Sequence, residues 1–256
     1  MHDTEPLSIV VIGASGDLAR KKIFPALFAL YMQRLLPPNF HIVGFARSHM
    51  DDASFRAALS ETLTCRYSDG ECSEQIEQFL GRCSYVAGQY DSREDFLNLY
   101  AAMRSIEGDG VANRMYYMAI PPFLFHDVAR AIGDAGLVSC GHVPGWSRAV
   151  IEKPFGHDRE SSDELVQGMA QIFVEDQTFR IDHYLGKEIV QNLLVLRFAN
   201  LIFEPLWNRN WVENVEIQWK EDIGVEERSG YFEQYGIIRD VVQNHLLQML
   251  ALTAME

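Results

Sequence analysis

Apolar runs of strand length alternate with longer segments of helical period along most of the chain. The first run, Leu7 to Ile12, ends at Gly13, and similar runs cover His41 to Ala46, Ser84 to Gln89, Arg114 to Ile120 and Arg148 to Glu152. Between them, apolar positions recur every three or four residues over Asp17 to Leu36, Asp51 to Leu63, Ser92 to Ile106, Phe123 to Ala135 and Asp158 to Phe173. Strands alternating with helices predict βαβ units and a parallel sheet. Pro25 lies inside the first helical segment and predicts a kink or a broken first turn there. After about residue 181 the pattern changes. A helix over Gly186 to Asn200, a period-two strand over Val212 to Lys220 and a long helix from Ile237 onward remain, too few elements to close a core of their own. The expectation is therefore an α/β chain, residues 1–181 forming a Rossmann-type doubly wound domain and 182–256 the beginning of a second, α+β domain.

Charge narrows the partners. The 256 residues carry 22 Lys+Arg against 36 Asp+Glu, a formal net charge of -14. Such a surface repels a phosphate backbone, so nucleic acid is an unfavourable partner, and an anionic ligand needs a local cluster of cations. No run of about 20 apolar residues predicts a membrane span. The start MHDTEPLSIVVIG lacks the basic and apolar regions of a signal peptide, which points to the cytoplasm. Cys65, Cys72, Cys83 and Cys140 form no C-x-x-C and no metal spacing, and are expected to be buried or idle thiols with no metal bound.

The turn after the first strand reads GASGDLA, Gly13 to Ala19. Gly13 and Gly16 permit a tight turn and close approach of a pyrophosphate to the N–H groups at a helix start. Ser15 stands where the usual G-x-G-x-x-G has its second glycine, so a plain strand-to-helix turn is an alternative. The second strand ends in Arg47 and Ser48, where an NAD site usually has Asp or Glu. A guanidinium there can grip a 2′-phosphate bidentately and favours NADP; pairing of Arg47 with Asp51 or Asp52 is the competing reading. Lys153 ends a later strand, in EKPFG, on the side of the sheet where ligands bind.

Residues 180–188, RIDHYLGKE, gather Arg180, Asp182, His183, Tyr184 and Lys187 before a helix. If this stretch is helical, His183 and Lys187 share a face, and two cations with a phenol make a seat for a phosphate monoester; a solvated polar turn is an equal alternative. In the last helix, at about 100° per residue, Asp240, Gln243, Asn244, His245 and Gln248 fall on one side, a composition suited to a hydroxyl-rich ligand. A His bordering apolar side chains is either a general base or a satisfied core residue.

Taken in order, GASGDLA, ARS, SYVAGQYD, EKPFG, RIDHYLGKE, NLLVLRFAN and GYF…YGIIRDVVQNHLLQML make the chain similar to the glucose-6-phosphate dehydrogenase family from about Ile9 onward. The resemblance implies that Gly13, Ala14, Ser15, Gly16, Asp17 and Leu18 hold the NADP pyrophosphate, that Arg47 contacts the 2′-phosphate, and that Lys153 touches both coenzyme and sugar. It further implies phosphate binding by His183, Tyr184 and Lys187, sugar hydroxyls on Glu221 and Asp240, and His245 as the base, with Asp182 against its imidazole. The implied reaction takes a hydride from C1 of glucose 6-phosphate to NADP, the entry to the oxidative pentose phosphate pathway. Other Rossmann sugar oxidoreductases share the E-K-P but not GASGDLA or RIDHYLGKE, and a non-catalytic NADP-binding module is a further alternative. The family's second domain is a large antiparallel sheet that continues beyond Glu256 and makes a homo-oligomer, dimer or tetramer. This chain is accordingly expected to be a fragment or truncated gene model of such an enzyme.

Overall fold

The computed structural model describes residues 5–64, 69–138, 145–153, 155–156, 158–220, 224, 232–233 and 236–255. They fall into two units, Met1–Arg180 and Ile181–Glu256.

The first unit is built on a six-stranded sheet, β1 (Leu7–Ile12), β2 (Phe40–Ala46), β3 (Cys83–Ala87), β4 (Asn113–Met118), β5 (Ser147–Glu152) and β6 (Thr178–Ile181), in the order β3-β2-β1-β4-β5-β6. The pairs β1–β2, β1–β4, β2–β3 and β4–β5 are parallel. This is the Rossmann order, whose direction reverses between β1 and β4. Both faces are covered, so β1 is buried along its whole length. Its side chains alternate between layers: Val10 and Ile12 join one apolar cluster, Leu7, Ile9 and Val11 the other. Helices α1 (Phe24–Met32), α2 (Asp52–Ser60), α3 (Asp69–Leu80), α4 (Arg93–Glu107), α5 (Phe125–Asp134) and α6 (Arg159–Ala170) connect the strands.

Several local features have clear causes. Asp51, Ser92 and Asp158 cap α2, α4 and α6 by accepting from the backbone N–H three residues on. The helical stretch predicted over Asp17 to Leu36 is shorter. A π-helical turn, Ala19–Ile23, leads without a break into α1, so Pro25's missing N–H falls where the winding changes from π to α. At the end of α4, Glu107 accepts from Ser8 of β1 (2.8 Å) and from two nitrogens of Arg114 of β4 (3.0 and 2.7 Å), pairing charges that would otherwise be buried alone.

Three expectations are corrected. Helix α3 and strand β6 occupy segments that the hydrophobic pattern left unassigned. The idle-thiol reading fails for Cys72, which is disulfide-bonded. Cys83 is a free thiol, its pKa pushed up to about 12 by burial. The predicted strand over Val212 to Lys220 has no ladder partner among the described residues. It is irregular, because a strand needs one.

The second unit therefore shows no antiparallel sheet among its described residues. It consists of α7 (Glu188–Phe198), a π-helical stretch Ile238–Leu246 and, continuous with it, α8 (Leu247–Ala254). Arg197 of α7 donates to the carbonyls of Leu252 (2.5 Å) and Met255, tying the two helices together. Ile189, Leu201, Ile202 and Trp211 are strongly exposed. Among the described residues no helix is long and apolar enough to cross a membrane.

Candidate active site

In the first unit the glycine turn sits at the carboxyl end of β1, beside the point where the strand order reverses. The N–H groups of Gly13 and Ala14 donate to the Phe45 carbonyl (2.8 and 3.3 Å), and that of Gly16 to the Gly13 carbonyl (2.9 Å). Gly13 and Ala14 are buried, so they shape the turn; Gly16, Asp17 and Leu18 are exposed, and Ser15 is half-buried. Asp17 is held below the ordinary carboxylate range by its contact with Lys21 (2.8 Å).

Arg47 is exposed at the end of β2. The two aspartates that competed for it have other work. Asp51 caps α2 through the Ser54 N–H (2.7 Å), while Asp52 accepts from the Tyr85 N–H (2.7 Å) and lies 3.5 Å from Arg56. The Arg47 guanidinium instead lies over the Tyr90 ring, 5.4 Å from its centroid. Burial pushes the Tyr90 phenol up, and Arg47 draws it partly back. The loop carrying Arg47 is fixed by Tyr85, whose hydroxyl donates to the Ser48 carbonyl (2.6 Å), and the Ser48 and Ser15 hydroxyls meet at 3.2 Å. Periodicity alone did not single out Tyr85, in the middle of β3, or Tyr90, just beyond its end.

Lys153 follows β5 directly and is half-buried. The preceding Glu152 accepts a short hydrogen bond from the Tyr117 hydroxyl, which holds the ends of β4 and β5 together. Burial and that carboxylate push the Tyr117 phenol well up.

The second unit brings together residues far apart in sequence. RIDHYLGKE is not helical: β6 ends at Ile181, residues 183–186 form a turn, and Lys187 is the N-cap of α7. Arg180 belongs to the first unit and pairs bidentately with Glu175 (2.5 and 3.0 Å). Asp182 Oδ1 accepts from the Tyr184 N–H at 3.0 Å and lies 2.7 Å from Nδ1 of His245, 63 residues away. An ionised carboxylate can only accept, so Nδ1 carries the hydrogen and Nε2 is left as the basic nitrogen. Both side chains are nearly buried. The Tyr184 ring stacks on the His245 imidazole, centroids 4.0 Å apart and planes 9° apart, and His183 meets both rings edge-on. Lys187 Nζ stands 3.6 Å from the Tyr184 ring centroid, and the Tyr184 hydroxyl accepts from the Trp219 indole at 2.7 Å.

Ligand atoms of Asp182, His183 and His245 lie within 4.8 Å of one another, a grouping that spacing did not foresee. The 2.7 Å Asp182–His245 separation is shorter than the ~3.3 Å between two ligands on one tetrahedral zinc, and describes a hydrogen-bonded dyad. His245 lies on the π-helical stretch, which is bonded i→i+5. Val241 and His245 are buried there, Asp240 and Asn244 half-buried, and Gln243 and Gln248 exposed, so the polar stripe drawn at 100° per residue does not hold as one face. Glu221 lies outside the described residues.

Residues 10–192 match the family model described as glucose-6-phosphate dehydrogenase, NAD binding domain, and residues 194–256 the one described as glucose-6-phosphate dehydrogenase, C-terminal domain. The chain is 53% identical to the chloroplastic glucose-6-phosphate 1-dehydrogenase of Spinacia oleracea over 98% of its own length and 43% of that protein's. It is 50% identical to glucose-6-phosphate 1-dehydrogenase of Dictyostelium discoideum over 98% of its length and 49% of the relative's. It thus spans about half the length of the relatives it matches. Among solved structures, a glucose-6-phosphate dehydrogenase in complex with its substrate glucose-6-phosphate superposes with a TM-score of 0.91 at 42% identity, over 98% of this chain and 52% of the other. The chain belongs to the glucose-6-phosphate dehydrogenase family.

Proposed function

We propose that the protein oxidises C1 of glucose 6-phosphate, with NADP as the hydride acceptor, to the 6-phosphoglucono-lactone. The observation that carries this reading is the dyad of Asp182 and His245, buried beside a cation-flanked phenol. His245 Nε2 takes the proton of the C1 hydroxyl. Asp182, hydrogen-bonded at Nδ1, stabilises the imidazolium that forms and keeps the ring in the tautomer that leaves Nε2 basic. His183, Tyr184 and Lys187 bind the 6-phosphate, while Asp240 and Glu221 bind sugar hydroxyls. NADP, when bound, supplies the hydride acceptor.

The first unit fits that coenzyme on its own chemistry. The turn Ser15 to Leu18, exposed from Gly16 onward, offers backbone to a pyrophosphate at a helix start, while Gly13 and Ala14 form the turn beneath it. Arg47 meets the 2′-phosphate, with the Ser15 and Ser48 hydroxyls nearby. Lys153 serves both coenzyme and sugar. Formation of NADPH by the full-length protein, dependent on glucose 6-phosphate, tests the reading; binding of NADP without turnover would reduce it to a coenzyme-binding module.

Arg47→Ala should weaken NADP by about 1–3 kcal/mol, the scale of a charge-assisted contact, and leave NAD nearly unchanged. Calorimetric titration of both coenzymes measures this, and equal losses would remove Arg47 from 2′-phosphate recognition. We further propose a homo-oligomer, supported by the apolar side chains exposed on the second unit. Neither nucleic acid nor membrane is proposed as a partner, given the acidic charge and apolar runs too short to span a bilayer. For location we propose the cytoplasm; relatives are named for the chloroplast and for the cytoplasm alike. Imaging of the tagged full-length protein decides between them.

A further inference from the structure

We propose that Trp219 is a positioning residue for phosphate recognition, acting through the hydroxyl of Tyr184; this rests on the function proposed above. An indole nitrogen can only donate, so in the 2.7 Å contact the Trp219 N–H gives and the Tyr184 oxygen accepts. A phenol holds its hydrogen near the ring plane, on one side of the oxygen or the other. With the indole donor on one side, the Tyr184 hydrogen turns to the other and is ready to meet an anionic oxygen. Donation into the phenol oxygen also polarises its O–H bond and strengthens it as a donor.

The ring that carries this hydroxyl has little freedom. The His245 imidazole stacks on it at 4.0 Å, Lys187 Nζ stands 3.6 Å from its centroid, and its backbone N–H is bound to Asp182. The rotor of the hydroxyl is the one freedom those contacts leave, and Trp219 sets it. Trp219 is half-buried in the irregular stretch 212–220, where only Ile217 and Trp219 are partly covered. Its polar edge, besides its apolar body, therefore bears on the site. The ligand implied is a phosphate monoester whose oxygen accepts from Tyr184 and pairs with Lys187.

The test is a double-mutant cycle in the full-length protein. Trp219→Phe should raise the KM for glucose 6-phosphate about 3- to 10-fold, leave kcat within about twofold, and leave the KM for NADP unchanged, the scale of one lost neutral hydrogen bond. In a Tyr184→Phe background the same substitution should add nothing. Unphosphorylated glucose, which has no group for the hydroxyl to meet, should be turned over equally well with and without the indole. A KM penalty that persists in the Tyr184→Phe background, an equal loss with glucose, or an unchanged KM would each overturn the role. If Trp219→Phe fails to fold, benzothienylalanine at 219, which keeps the ring volume and drops the N–H, runs the same cycle. Absence of any turnover of glucose 6-phosphate by the unsubstituted protein would overturn the proposed function itself, and this role with it.

Discussion

His245→Asn in the full-length protein should lower turnover of glucose 6-phosphate at least ~10²-fold, with NADP affinity nearly unchanged. Asn keeps a planar polar group in a buried position and avoids a large cavity, so the loss reports on the base rather than on packing. Nδ1 is committed to Asp182 at 2.7 Å, which leaves Nε2 alone for the proposed proton abstraction. An amide has no nitrogen that can take a proton near neutral pH. The proposed coenzyme residues belong to the other unit and are not altered by the substitution, so the two readouts separate. Turnover within about threefold of the unsubstituted protein would remove His245 from the mechanism, and a parallel loss of NADP binding would point to a folding defect.

How much of this was legible in the sequence depends on the distance over which each feature is determined. Strands β1, β2, β4 and β5 were legible because a parallel strand covered on both faces reads as a continuous apolar run, as Leu7–Ile12 does. The caps of α2, α4 and α6 were likewise local. Helix α3 escaped because DGECSEQIEQFL has few apolar residues, and β6 because four residues with an exposed middle carry no periodic signal. The stretch 212–220 shows the converse error. Its alternation is real, but alternation expresses a preference for pairing, and no partner strand lies beside it among the described residues.

The site was legible in its residue types more than in its geometry. The Asp182–His245 contact spans 63 positions and two elements, so no spacing within either could reveal it; family resemblance supplied that pairing. The stripe on the last helix assumed i→i+4 winding, and the π-helical stretch Ile238–Leu246 changes which side chains share a face. Gln243 and His245, two positions apart, lie on nearly opposite sides of the helix, one exposed and one buried. The Trp219–Tyr184 hydrogen bond was likewise invisible, because it joins an irregular segment to a turn.

Gly13→Ala should destabilise the first unit by about 2–6 kcal/mol and abolish measurable NADP binding. Two costs combine. Gly13 has φ +89°, a conformation that costs a residue with a side chain about 1–3 kcal/mol. A Cβ there would also stand 2.3 Å from the Ala119 carbonyl oxygen and 2.9 Å from a side-chain carbon of Ile120. That oxygen is backbone just past β4, so relief requires β1 and β4 to separate where the sheet reverses direction, and crowding of this kind adds about 1–3 kcal/mol. The turn offering Ser15 to Leu18 is hung from the Gly13 and Ala14 bonds to Phe45, so the coenzyme seat moves with it. Gly16 is the matched control. Its φ lies outside the left-handed region and its added Cβ meets only the Gly13 carbonyl, at 3.2 Å. Gly16→Ala should therefore cost little in stability, and what it costs in NADP affinity measures how closely the coenzyme approaches the exposed backbone. Urea unfolding gives the first quantity and NADP titration the second. Equal destabilisation by the two substitutions would mean that the close contact with Ala119 does not dictate glycine at position 13.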